Sequence, residues 1–131
     1  MKILINRGNI KNAKSYPDEY WDEFIALAKD HEIKEIKGIL STQELKDLIA
    51  WADAWCSVDS FIPHFCAYHK LKSGAVLWGK SDPKHFGYEH NINLHNNRFR
   101  KDQFLWWVGV PHEKEDFVKP DILLQKLQNM L

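Results

Sequence analysis

"AWCSVDSFIPHF", residues 54–65, decides the fold. Its opening run, 54–58, is apolar without an amphipathic period. A run that short and that continuous reads as a strand covered on both faces. From Phe61 the pattern is helical, to about Leu71. Asp59 and Ser60 stand between the two. Ser60 is placed as N-cap of the helix, and Pro63 falls in the first turn, where a missing N–H costs no hydrogen bond.

The rest of the chain repeats this alternation. Residues 1–5 read as a buried strand and 7–17 as a polar loop. Residues 17–31 carry Trp21, Phe24, Ile25 and Ala28 on one helical stripe. Residues 33–40 alternate as a short strand. Ser41 and Glu44 form a capping box, and Leu45, Leu48, Ile49 and Ala52 make the stripe behind it. Residues 74–79 read as another buried strand and 91–95 as a weaker one. Residues 120–131 close the chain as a helix with proline in its first turn. Residues 96–119 are the least readable, and there is no internal repeat. The expectation is α/β: one Rossmann-like domain over residues 1–131, a small, mostly parallel sheet flanked by helices.

Bulk properties narrow the function. The chain has 131 residues, 44% of them hydrophobic, enough for a core without disulfide or metal. Eighteen basic residues balance eighteen acidic ones at a pI near 7.1. That balance argues against a dedicated nucleic-acid binder. Cys56 and Cys66 lie in apolar runs and lack the paired spacing of a zinc site. The histidines at 64, 69, 85, 90 and 95 recur mostly at intervals of five, which suits no metal on a strand or a helix. No metal or other cofactor is expected. No run approaches a membrane span, and the N-terminus turns polar too soon for a signal peptide. A cytoplasmic location is expected.

In an open parallel sheet, ligands gather beyond the carboxyl ends of the strands. Asp59 and Ser60 fall there. The first turn of the following helix favours an anion, with hydroxyl and imidazole donors available from Ser60 and His64. The plainer alternative is that Ser60 only caps its helix. The loop after the first strand opens on the same edge, so Arg7 or Lys14 would reach an anion at Ser60. The loop 79–88 also faces that edge. There Lys80 or Ser81 is a candidate contact, against a turn ordered by Asp82 and Pro83. The segment 97–107 interleaves basic and aromatic residues. It reads either as a stacking surface or as a helix turning Phe104 and Trp107 inward while Arg98, Arg100 and Lys101 stay solvated.

These residues resemble a known family. "KSYPDEYWDEF" resembles the K-x-W-P-x-x-x-W/F segment that opens the C-terminal domain of the ADP-heptose:lipopolysaccharide heptosyltransferases, glycosyltransferase family 9 of the GT-B fold. "STQELKDLIAWADAWCSVDSFIPHFCAY" is similar to its stretch leading to D-S-G-P-x-H-L-A-A. "VLWGKSDPKHFGYEHNINL" resembles its V-L-F-G-x-S-D-P-x-x-F-G-Y-x-x-N-x-N-L, and "VKPDILLQKLQNML" its final helix. The match runs in order along most of the chain.

The resemblance implies a donor-binding half of a GT-B enzyme, with a nucleotide-diphosphate sugar as ligand. It implies donor phosphate at Lys14 and Ser60, the motif histidine at His64, and the donor sugar near Asp59; Arg7 joins the phosphate group from its loop position. No catalytic residue is assigned, because in the family the base and the acceptor come from an N-terminal domain. A separate acceptor-binding chain is therefore an expected partner. Two departures weigh against activity. Phe61 stands where the family has glycine, a residue that lets phosphate approach the backbone. The stretch before "IKGIL" is also short of a strand and helix whose acidic residue holds the ribose; Glu32 and Glu35 lie nearby. The alternative is a non-catalytic binding or assembly module that keeps only the fold. A homodimer through the shortened sheet is a further expectation.

Overall fold

The computed structural model describes residues 1–8, 14–101 and 113–131. Strands β1 (Lys2–Asn6), β2 (Glu32–Glu35), β3 (Ala54–Val58), β4 (Ala75–Leu77) and β5 (Ile92–Leu94) form one sheet in the order β2-β1-β3-β4-β5. Every neighbouring pair is parallel. The helices are α1 (Asp18–Leu27), α2 (Thr42–Trp51), α3 (Phe61–Tyr68), the short α4 (Pro83–Phe86) and α5 (Pro120–Gln128). The α/β, Rossmann-like expectation holds.

The connections explain the layering. The chain moves outward from β1 to β2 through α1, then returns past β1 to β3 through α2. Right-handed crossovers put helices on opposite faces when the direction reverses. Accordingly α1 and α5 pack Trp21, Phe24, Leu123 and Leu127 against Ile3, Ile5, Cys56 and Leu77. On the other face α2 and α3 pack Leu45, Ile49, Ile62 and Phe65 against Leu4, Trp55 and Val76. Alternate residues of β1 and β3 thus enter two apolar layers, which is why neither strand shows a polar period.

Several elements are shorter than expected. The helix expected over 17–31 stops at Leu27, because the Glu32 N–H already bonds Met1 O at 3.0 Å and the chain has turned into β2. The strand expected over 33–40 stops at Glu35. The Ile36 N–H takes Ile5 O at 3.0 Å, and β1 ends one residue later, so nothing remains to pair with. The chain then passes Gly38, at φ 70, to the expected capping box at Ser41. The helix expected over 61–71 ends at Tyr68. Lys70 turns left-handed, at φ 55, and the Leu71 N–H bonds back to Cys66 O at 2.9 Å.

β4 begins after Gly74 for a steric reason. A Cβ there would lie 2.1 Å from Trp55 Cδ2, because the indole crosses that backbone on its way to donate to Lys72 O. The loop after β4 is built as a turn: Asp82 accepts from the Lys84 N–H, with Pro83 at the first helical position. Residues 98–101 are not helical. Phe104 and Trp107, which the helical alternative turns inward, lie outside the described residues. Among the described residues, no helix is long and apolar enough to cross a membrane.

Candidate functional site

The sheet order reverses between β1 and β3, so the crevice of an open parallel sheet falls at their carboxyl ends. Asn6 closes β1 there. Its Nδ2 donates to Ser57 Oγ and to Ser60 Oγ, both at 2.9 Å, and its Oδ1 accepts from the Gly8 N–H at 3.3 Å. One carboxamide therefore ties the first loop to the strand–helix junction. Each such bond contributes about 1 kcal/mol net, and the buried groups would cost more if left unpaired. Gly8 suits this turn: it sits at φ 78, and a Cβ would press on Val58 at 3.1 Å.

Ser60 occupies the N-cap position of α3, as expected, but its side chain makes no capping bond. Its hydroxyl faces Asn6 instead. The reading of Ser60 as a simple side-chain cap is thus corrected, because the neighbouring strand supplies a better-placed partner than the helix does.

Lys14 arrives from the same side. Its loop is anchored by Tyr16, whose buried ring meets Trp21 and Phe117 edge-on and whose hydroxyl donates to Val118 O at 2.8 Å. Burial raises the Tyr16 pKa far above that of an ordinary phenol, so it stays a donor at any working pH. Lys14 Nζ lies 3.1 Å from Asp59 Oδ2. Asp59 is buried at the crest, and among the described residues the ammonium of Lys14 is the charge set against that oxygen. His64 lies one turn into α3, with Nδ1 2.8 Å from the Tyr88 hydroxyl.

These groups border two cavities, one reached at Asp59 and the other at Ser60. One, about 350 Å³, is polar and is bounded by Lys14, Asp59, His64, His85 and Tyr88. The other, about 260 Å³, is apolar, with Ile36, Leu40, Leu45 and Ile62 inside, Ile39 and Phe61 beside them, and Asn6 and Ser60 at its polar end.

Lys14, Asp59, Ser60 and His64 are therefore brought to one crest. Arg7 is not brought to Ser60. Its Nε lies 2.6 Å from Glu35 Oε1, and its guanidinium is within 4 Å of Asp18 and Asp22 and over the Trp21 ring. Three carboxylates turn it toward β2 and α1. Lys80 pairs with the buried Asp116 and with Glu113, and Ser81 is buried. Asn6, Tyr88 and the apolar wall were not legible as site residues. For Asn6 one signal existed: a lone amide ending an apolar strand.

The fold defines a Rossmann-like α/β sheet whose topological switch point falls between β1 and β3. The same fold occurs in the structure of E. coli heptosyltransferase WaaC with ADP, with a TM-score of 0.68, 14% sequence identity and coverage of 99% of this chain. The match takes in 44% of that protein, so this chain spans less than half its length. At that identity the likeness speaks for the fold. No protein-family model matches the chain, and no curated protein matches it.

Proposed function

We propose that this chain is the nucleotide-sugar-binding half of a glycosyltransferase of the heptosyltransferase kind, with its donor lying across the β1–β3 crest. The observation that carries this reading is the convergence of Lys14 with Asp59 and Ser60, from loops far apart in sequence, between an apolar and a polar cavity. A nucleoside-diphosphate sugar has that same succession of parts: a flat base, two phosphates, a polyol.

In this reading the diphosphate lies at Ser60 and the first turn of α3, where the helix dipole and a hydroxyl favour it. Lys14 supplies the point charge. The base enters the apolar cavity, and the sugar faces Asp59, His64 and Tyr88. Arg7 serves as a strut between β2 and α1 and leaves phosphate to Lys14. Transfer requires a base and an acceptor from a second domain or chain, whose side of the cleft would meet the polar cavity. The departures at Phe61 and in the short stretch between α1 and Ile36 favour the second reading, a non-catalytic module.

Calorimetric titration with ADP, GDP, UDP and their sugar conjugates separates the two. Saturable binding, weakened by Lys14→Ala and by Ser60→Ala, is expected. A folded protein that takes up none of them at millimolar concentration sinks the donor-binding reading and leaves the assembly module.

A further inference from the structure

Two of the exposed large apolar side chains of the described residues lie at one place. Ile39 is 103% exposed and Phe61 60% exposed, and both border the 260 Å³ cavity beside Ser60. Large apolar side chains held in water around a concave apolar site mark a binding surface. Phe61 is also supported. Its ring lies 5.5 Å from that of Phe65, tilted by 46°, and Phe65 is buried in the layer beneath α3. Among the described residues no charged side chain lines this cavity, and a group entering it meets apolar side chains, Asn6 and Ser60. Asn6 and Ser60 supply the cavity's polar side chains, and Ser60 adjoins Phe61 in sequence.

We propose that Phe61 is the platform on which the nucleobase stacks, and that it sets the order of preference among nucleotides, with wide purines above pyrimidines. This inference rests on the donor-binding reading above and goes further, because it assigns a binding role to the residue that most departs from the resemblance. A glycine there offers no ring. Stacking of a base on an aromatic side chain is worth about 1–3 kcal/mol, which is about a five- to 150-fold change in affinity.

The test is titration of the full chain with ADP, UDP and inorganic pyrophosphate, for the wild type, Phe61→Ala, Phe61→Leu and Phe61→Trp, with circular dichroism as the folding check. Phe61→Ala is expected to weaken ADP by at least about fivefold, leave pyrophosphate within about twofold, and shrink the preference for ADP over UDP. Phe61→Trp should restore ADP. Phe61→Leu keeps bulk without a flat π face, so it should behave like alanine, and it carries the test if the alanine variant does not fold. Equal weakening of ADP and pyrophosphate, or no change in ADP, overturns the proposal. Lys14-dependent pyrophosphate binding in a protein that holds ADP no tighter would overturn it while leaving the phosphate site standing. No binding of either ligand overturns both.

Discussion

The two cavities meet the chain at successive residues, Asp59 and Ser60, and have different linings. The polar one is bounded by Lys14, Asp59, His64 and Tyr88, with an ion pair at 3.1 Å and a histidine–tyrosine contact at 2.8 Å. The apolar one has aliphatic walls and an exposed ring. The polar side comes from loops that follow β1, β3 and β4. The apolar side comes from the β2–α2 connection meeting the first turn of α3. Under the donor-binding reading, the ion pair on one side and the aliphatic wall on the other would sort the polar and flat parts of a ligand.

The largest effect should come from the residue that joins the sides. Asn6→Leu leaves Ser57 and Ser60 without their shared donor and frees the Gly8 N–H. Chemical denaturation should show a loss of roughly 2–4 kcal/mol, and binding of nucleotide and pyrophosphate should both collapse. Unchanged stability would mean the crest does not depend on this amide.

Next comes a break on the polar side alone. Lys14→Ala removes a charge-assisted contact and should cost about ten- to a hundredfold in pyrophosphate affinity. Raising salt should mimic it in part, by weakening pyrophosphate while sparing the contribution of the base. Equal salt sensitivity of both contributions would erase the distinction between the cavities.

A finer probe is Tyr88→Phe, which removes the hydroxyl facing His64 Nδ1. It should leave ADP unaffected and weaken a sugar conjugate by about two- to tenfold. Equal loss for both ligands would place Tyr88 at the phosphates instead of the sugar.

A separate probe, read as stability and not as binding, lies under the apolar side. Cys66 is buried on the inner face of α3, and burial pushes its thiol from the ordinary value of 9.0 up to about 11. The unfolded chain therefore loses this proton first as pH rises. Stability should fall between pH 9.0 and about 11 by more in the wild type than in Cys66→Ala. Parallel stability curves for the two proteins would show that the thiol is not desolvated.

The site was legible in sequence to differing depths, for identifiable reasons. Asp59, Ser60 and His64 were readable because they follow a two-sided strand and open a helix, and local pattern carries that information. Lys14 was readable only because two loops were expected to share an edge. Asn6 was missed because its partners lie 51 and 54 residues away, across a strand pairing that no local window contains. Arg7 was expected at the phosphate, since a loop arginine beside a proposed anion site carries no sign of Glu35, which only the β1–β2 register sets opposite Ile5.

By itself, then, the sequence determined the α/β class, the parallel strands and the crest on which Asp59, Ser60 and His64 sit. Those follow from periodicity and capping, which act within a few residues. Tertiary structure alone decided how the crest is wired. It turned the Ser60 hydroxyl to Asn6, took Arg7 to Glu35, and divided the surface into a charged and an apolar cavity. The physical reason is that alternation says which face a side chain takes but not which strand lies beside it. Lateral order is decided only when the chain reverses direction after β2 and lays β3 against β1.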